Sequence, residues 1–310
     1  MRKTVFMFPG QGAQYVGMGK DFYDQIEVSR KMFDTASEAV GLDLKKLCFE
    51  ENEDLNITEY TQIALLTTSV AMMEALKEKG VTSDCNAGLS LGEYGALVAS
   101  GIMDYEDACR VVRKRGLYMQ EEVPAGEGAM SAVLGLTADV IEEILKKEGK
   151  QVEIANYNCP GQIVISGETN AVAEVGEKIK EAGAKRVVPL KVSGPFHSSL
   201  LKGAGEKLAK VLEDVTIHDI KVPYVCNVSA QMITDKNEVK ELLAKQVSSS
   251  VRWQQTIELL IEQGYNTFIE IGPGKTLNGF MKKIDKEKKV EVYSVEKVED
   301  LETVAAAWKA

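Results

Sequence analysis

The stretch Ala87-Gly88-Leu89-Ser90-Leu91-Gly92-Glu93-Tyr94 constrains the fold more than any other in the chain. It carries the pattern G-x-S-x-G, and the residues after it read as a helix with Leu91, Tyr94, Leu97 and Val98 on one face and Gly101 as a stop. A serine on a sharp strand-to-helix turn has an exposed hydroxyl, because Gly88 and Gly92 lack the side chains that would crowd it. The helix start aims backbone N–H groups at the space beside that hydroxyl, where an oxyanion forms in acyl transfer. Asp84 to Leu89 is a weak strand by propensity, so the elbow rests on the turn and the helix. A glycine-rich turn into a core helix satisfies the same short pattern, so a nucleophile needs partners elsewhere in the chain.

Histidine is scarce, with His197 and His218 as the candidates for a general base. His197 sits in Ser193-Gly194-Pro195-Phe196-His197-Ser198, a rigid loop that suits either a structural or a catalytic imidazole; scarcity and place favour the second. His218, beside Asp219, reads as a surface residue before the strand Val222–Cys226. Asp104 to Glu121 reads as a helix with Asp104 as N-cap candidate and Asp107 following. Ala108, Val111, Val112, Tyr118 and Met119 form its apolar stripe, and Arg115 falls within that stripe. A guanidinium there is costly unless paired. It either reaches out to water or an internal carboxylate, or serves as a pocket receptor that grips an anion with its planar fork.

The first strand, Thr4–Phe8, closes on Pro9-Gly10-Gln11-Gly12. A dinucleotide fingerprint counted from Gly10 fails at Tyr15, and a phosphate loop from Gly12 fails at Met18. The loop suits a tight turn, or close approach of its N–H groups to a ligand. Gly272-Pro273-Gly274-Lys275-Thr276 mimics the end of a phosphate loop, but Ile269 stands where its first glycine belongs.

Residues 21–50 read as surface amphipathic helices, Ile57–Lys79 as a long helix, and 238–249 and Trp253–Gln263 as two more. Thr267–Ile271 and Val290–Val295 read as strands. Between 126 and 192 the texture changes. Ala129–Leu136, Val152–Asn156, Gln162–Ser166 and Arg186–Val192 read as strands, and Ala138–Glu148 and Ala171–Ala182 as helices. That βαββαβ order is the ferredoxin-like pattern, so residues 126–195 are expected as a small inserted domain, with 1–125 and 196–310 as the main one.

Bulk properties exclude several classes. The net charge of −10 argues against non-specific nucleic-acid binding, and no apolar run is long enough to span a bilayer. The N-terminus reads as the lead into a strand, without a signal-peptide core. Five scattered cysteines with no C-x-x-C pair point to reduced thiols in a cytoplasm and away from disulfides or a zinc site.

With these segments laid out, the chain resembles the malonyl-CoA:acyl-carrier-protein transacylases of fatty acid synthesis over essentially its whole length. The resemblance is carried by Phe8-Pro9-Gly10-Gln11-Gly12, the Gly88–Tyr94 turn, Arg115-Gly116-Leu117-Tyr118-Met119-Gln120, Asn156-Tyr157-Asn158-Cys159-Pro160-Gly161-Gln162, Pro195-Phe196-His197 and Glu270-Ile271-Gly272-Pro273-Gly274-Lys275, in that order. It implies an α/β-hydrolase-like core with an inserted ferredoxin-like domain. It implies Ser90 as nucleophile, His197 as base and acid, and the N–H groups of Gln11 and Leu91 as oxyanion hole. Arg115 matches the arginine that grips the malonate carboxylate, Gln62 and Asn158 the pocket amides, and Gln246 the residue whose carbonyl orients the histidine. Malonyl-CoA is the implied substrate, with no bound cofactor and no metal, and acyl carrier protein the implied partner of an expected monomer. Many members carry histidine before the nucleophile, where this chain has Leu89, so a polar pocket contact is missing. Phe196 resembles malonyl-selective members.

Acyl carrier proteins are acidic, as is this chain, so an encounter needs a local basic patch; Lys185, Arg186, Lys191, Lys282 and Lys283 are the candidates, unless they are ordinary solvated surface. Three rivals share these residues: a serine thioesterase, a non-catalytic module on the same fold, and a stand-alone acyltransferase serving a polyketide synthase.

Overall fold

The computed structural model describes residues 2–309, a mixed α/β structure with two sheets. The strands are β1 (Thr4–Phe8), β2 (Cys85–Gly88), β3 (Gly128–Leu134), β4 (Val152–Cys159), β5 (Gln162–Glu168), β6 (Arg186–Pro189), β7 (Tyr224–Val225), β8 (Met232–Ile233), β9 (Thr267–Ile271) and β10 (Glu291–Val295). The larger sheet has the order β10-β9-β1-β2-β7-β8, parallel except for β8 at its edge. All of β1 is buried. Phe6 and Phe8 enter the core that holds the helix Thr58–Glu78, while Val5 and Met7 enter the one that holds Trp253 and Ile257. A parallel strand covered on both faces is apolar at every position, which is why Val5-Phe6-Met7-Phe8 shows no alternation.

The helix Gly92–Ala99 is buried from Gly92 to Leu97, not along one stripe, because it packs against β1 and β2 and against Thr58–Glu78. Gly95 permits this: a Cβ there would come within 2.9 Å of the Phe8 ring. Because β1, β2, β7 and β9 are parallel, their C-terminal ends share one edge, where open α/β sheets collect their functional groups.

The smaller sheet is antiparallel in the order β4-β5-β3-β6. Its elements follow as β3, helix Ala138–Glu148, β4, β5, helix Thr169–Glu181 and β6. Val133, Ile163 and Ile165 pack on one face with Ile141, Val172 and Val175 from the two helices. Met130, Ala132, Asn156, Asn158 and Val164 instead line a cavity below the sheet. Val251 ties this roof to the main body, its N–H donating to the Ala155 carbonyl (2.8 Å) and its carbonyl accepting from Tyr157 N–H (2.9 Å).

Several extents differ from the sequence reading. β4 runs on to Cys159, because Val251 and β5 supply backbone partners past Asn156. β6 ends at Pro189; Leu190 still donates to the Met130 carbonyl before the chain leaves the sheet. The helices Lys202–Glu213 and Val298–Lys309 and the short β8 had no counterpart in that reading. Asp104 holds the N-cap position of helix Tyr105–Glu121 without a side-chain cap bond. Its Oδ2 instead lies 3.0 Å from Nε2 of His218, which is exposed as expected but meets this distant acid, while the adjacent Asp219 takes Lys236. Among the described residues no helix is long and apolar enough to cross a membrane.

Candidate active site

Ser90 stands two residues past β2 with φ 54°, in the left-handed region that costs a non-glycine residue about 1–2 kcal/mol. Both sides of its peptide are held. Ser90 N–H donates to Asn227 Oδ1 (2.7 Å), and the Ser90 carbonyl accepts from Gln246 Nε2 (3.0 Å). The flanking glycines are sterically required. A Cβ on Gly88 would strike the Gly92 backbone, and one on Gly92 the Phe8 carbonyl.

His197, also left-handed at φ 59°, meets the serine from the loop after the small sheet. Its Nε2 lies 2.7 Å from Ser90 Oγ, and its Nδ1 2.9 Å from the Gln246 carbonyl oxygen. A carbonyl only accepts, so Nδ1 carries the hydrogen and Nε2 is left to accept from the serine hydroxyl. Burial, then the Arg115 cation, push the imidazole pKa down from 6.5 to about 4. The ring is therefore neutral near pH 7.

Arg115 lies on the buried face of helix Tyr105–Glu121 and is 1% exposed, so it does not reach water. Nor does it meet a carboxylate: among the described residues no acid lies within ion-pair distance. Nη1 donates to Gln62 Oε1 (2.6 Å), and Nη2 to Gln246 Oε1 (2.9 Å) and Ser90 Oγ (3.2 Å). The guanidinium stands 5.6 Å from the Tyr94 ring centroid, and its Nε has no hydrogen-bond partner. A buried cation whose hydrogen-bond partners are all neutral, one of them the serine oxygen, has the chemistry to take an anion.

These three side chains border a cavity of about 670 Å³, within the range of small-ligand sites. Gln62 and Leu89 line it below and Asn158 above. Gln11 and Leu91 line it too, and among the described residues neither of their N–H groups donates to a protein acceptor. Gly10 brings the first loop against the serine turn; a Cβ there would be 2.5 Å from the Leu89 carbonyl oxygen.

The basic residues are exposed. Lys191 lines the cavity itself. Leu134 pairs with Arg186 on one side and Gln162 on the other, and Lys283 Nζ donates to Gln162 Oε1 (3.0 Å). Arg186 and Lys283 thus flank one row across the small sheet, with Lys185 packed over Gly135 and Lys282 exposed beside Lys283 on helix Thr276–Ile284.

Sequence reasoning missed Asn227 and Glu93. Asn227 follows β7 and clamps the serine turn, its Nδ2 donating to the Gly88 carbonyl (2.7 Å). Glu93 is fully buried, and its Oε2 accepts from Gln246 Nε2 (2.6 Å) and Asn227 N–H (3.1 Å). Burial raises its pKa from 4.5 to about 7 against those bonds. The available signal was an acid inside an apolar helix; nothing local marks Asn227 beyond its place after a strand end.

Ser90 at the C-terminal edge of a parallel sheet, met by His197 from the loop after the small sheet and by Arg115 from helix Tyr105–Glu121, is the arrangement of an α/β acyltransferase. The chain belongs to the acyl transferase domain family, whose sequence model matches residues 5–304. It is 51% identical over 293 residues to the malonyl CoA-acyl carrier protein transacylase of Bacillus subtilis, covering 93% of this chain and 92% of that one. The solved malonyl CoA-acyl carrier protein transacylase of Clostridium perfringens superposes with a TM-score of 0.95 at 47% identity, covering 99% of this chain and 97% of that one. A malonyl-transacylase solved in complex with a type II polyketide synthase acyl-carrier protein gives a TM-score of 0.95 at 40% identity, covering 98% and 99%.

Proposed function

We propose that Ser90 carries the malonyl group between coenzyme A and acyl carrier protein, with His197 as base and acid and Arg115 as receptor for the free carboxylate. The reaction itself is S-malonyl transfer from malonyl-CoA to the carrier-protein thiol, the acyl-transfer step that feeds fatty acid synthesis. The observation that carries the residue roles is one oxygen with two neighbours: Ser90 Oγ lies 2.7 Å from His197 Nε2 and 3.2 Å from Arg115 Nη2.

The serine proton passes to Nε2 as Oγ bonds to the thioester carbon. The oxyanion is taken by the Gln11 and Leu91 N–H groups, each such donor being worth about 3 kcal/mol. The carbon–sulfur bond breaks, the imidazolium returns its proton to the departing sulfur, and a malonyl ester remains on Ser90. The carrier-protein thiol then repeats the steps in reverse, so the kinetics are ping-pong. Gln62 and Gln246 hold the guanidinium fork in place, and Asn158 is a polar group on the cavity roof. The Gln246 carbonyl replaces a triad acid in orienting His197.

The main sheet reads as an α/β-hydrolase-like core and residues 126–195 as a ferredoxin-like insert; the strand order β4-β5-β3-β6 supports the latter. Lys185, Arg186, Lys191, Lys282 and Lys283 are the proposed carrier-protein contact. The site binds malonyl-CoA without a resident cofactor or metal and works in a monomer. A polyketide carrier protein is the alternative acceptor, favoured by the likeness to the transacylase solved with one. Intact mass after incubation with malonyl-CoA tests the reading. Wild type gains one malonyl group and Ser90→Ala gains none; an adduct that persists in the variant, or none in wild type, refutes it.

A further inference from the structure

In Ser–His–acid triads a carboxylate touches the imidazole; here a backbone carbonyl occupies that place. Yet a buried carboxylate lies one residue further out, and its contacts radiate to every part of the site. Glu93 Oε2 takes Gln246 Nε2 at 2.6 Å and the Asn227 N–H at 3.1 Å. Gln246 in turn bonds His197 Nδ1 through its backbone oxygen, Arg115 Nη2 through Oε1 and the Ser90 carbonyl through Nε2. Asn227 bonds the Ser90 N–H and the Gly88 carbonyl. The base, the anion receptor and the strained nucleophile turn therefore all meet two residues, Gln246 and Asn227, and one acceptor bonds both: the Gln246 side chain and the Asn227 backbone.

We propose that Glu93 is the positioning residue of this site, a carboxylate that holds the Gln246 amide and the Asn227 backbone and through them aligns Arg115 and Ser90. It touches neither substrate nor reacting atom. It holds the Gln246 amide together with the guanidinium and the Ser90 carbonyl. With Oε2 accepting, Nε2 must face Glu93 and the Ser90 carbonyl, which leaves Oε1 to face the guanidinium. Without that acceptor, one Nε2 hydrogen of Gln246 and the Asn227 N–H lose their partner, and the clamp on Arg115 loosens together with the serine turn. Reach matters more than charge in this account. A glutamine at 93 keeps an acceptor of the same length, whereas an aspartate keeps the charge and draws it back by one methylene.

The proposal rests on the residue roles given above, so the test begins with malonylation of wild-type Ser90; its absence there indicts those roles and not Glu93. Acylation is then followed by rapid quench and intact mass, normalised to the fraction of enzyme that is malonylated at completion. Misplacing reacting groups by about 1 Å costs roughly a hundredfold, and that is the loss expected for Glu93→Asp and Glu93→Ala, with Glu93→Gln staying within about tenfold of wild type. The preference for malonyl-CoA over acetyl-CoA narrows in the same order, because Arg115 shifts with Gln246. A merely structural role lowers thermal stability and the active fraction while leaving the per-site rate and the preference unchanged, and that result overturns the proposal. So does Glu93→Asp outperforming Glu93→Gln, which would make charge the operative property. The Gln and Asp variants decide the matter if Glu93→Ala does not fold.

Discussion

Replacing Arg115 with alanine gives the most direct measure of what the buried cation does. The guanidinium is 1% exposed and has five N–H groups, of which one on Nη1 is spent on Gln62 and two on Nη2 on Gln246 and Ser90 Oγ. The bond to Ser90 Oγ is the longest of these, so it is the one expected to be given up to a malonyl carboxylate. A malonyl carboxylate that enters without the cation is a buried charge with no partner, at a cost of about 4 kcal/mol, or roughly a thousandfold in rate. Acetyl-CoA brings no carboxylate and escapes that loss. Loss of donors to Gln62 and Gln246 also costs stability, but equally for both substrates, so it cancels in the ratio. The assay is the rate of Ser90 acylation from malonyl-CoA and from acetyl-CoA, by rapid quench and mass. The malonyl-to-acetyl ratio should fall by about three powers of ten in Arg115→Ala, and by one to two in Arg115→Lys, which keeps charge without the fork. A ratio unchanged in Arg115→Ala would falsify the receptor role.

Further outcomes follow from the same geometry. With the imidazole pKa near 4, acylation should hold its rate on acidification until about one pH unit above that value and then fall as imidazolium forms; in Arg115→Ala, with the neighbouring cation gone, this acid limb should move to higher pH. His197 is neutral in the fold but takes a proton below 6.5 once unfolded, so its stability contribution is complete above 6.5 and is lost as pH falls towards 4. Glu93, raised from 4.5 to about 7, acts with the opposite sign, its contribution being complete below 4.5 and lost as pH rises through 7. Denaturation at stepped pH should show Glu93→Gln removing that second slope. Glu270 caps helix Thr276–Ile284 by accepting the Leu277 (2.9 Å) and Asn278 (2.8 Å) N–H groups, so Glu270→Ala should cost about 2 kcal/mol in chemical denaturation. Charge reversal at Arg186 with Lys283 should weaken the apparent affinity for carrier protein at low salt and leave Ser90 malonylation by malonyl-CoA intact; unchanged affinity would place the docking surface elsewhere.

Much of this was legible in the residues because it depends on local spacing. Glycines at 88 and 92 mark a crowded turn at Ser90, and the clash of an added Cβ with the Gly92 backbone or the Phe8 carbonyl shows why the turn requires them. Arg115, four residues from Val111 and from Met119, falls within the apolar stripe, and it lies on the buried face of its helix. The unbroken apolar run of β1 marked a strand covered on both faces.

What the chain's order did not disclose is what crosses it. Helix Gly92–Ala99 reads as one-sided, with Leu91, Tyr94, Leu97 and Val98 on its apolar face, yet Glu93 is buried too, since Gln246 and Asn227 arrive from more than a hundred residues away to bond it. Whether Arg115 met water, an acid or an empty pocket was undecidable until Gln62, Gln246 and Ser90 converged on it. Asp104 satisfied the cap pattern but bonds His218 across the fold. Backbone conformation and amphipathic faces are set by neighbours within a turn or two, and those the sequence determined by itself. The partner of a buried polar group is set by which distant elements lie side by side, and only the tertiary structure decided that.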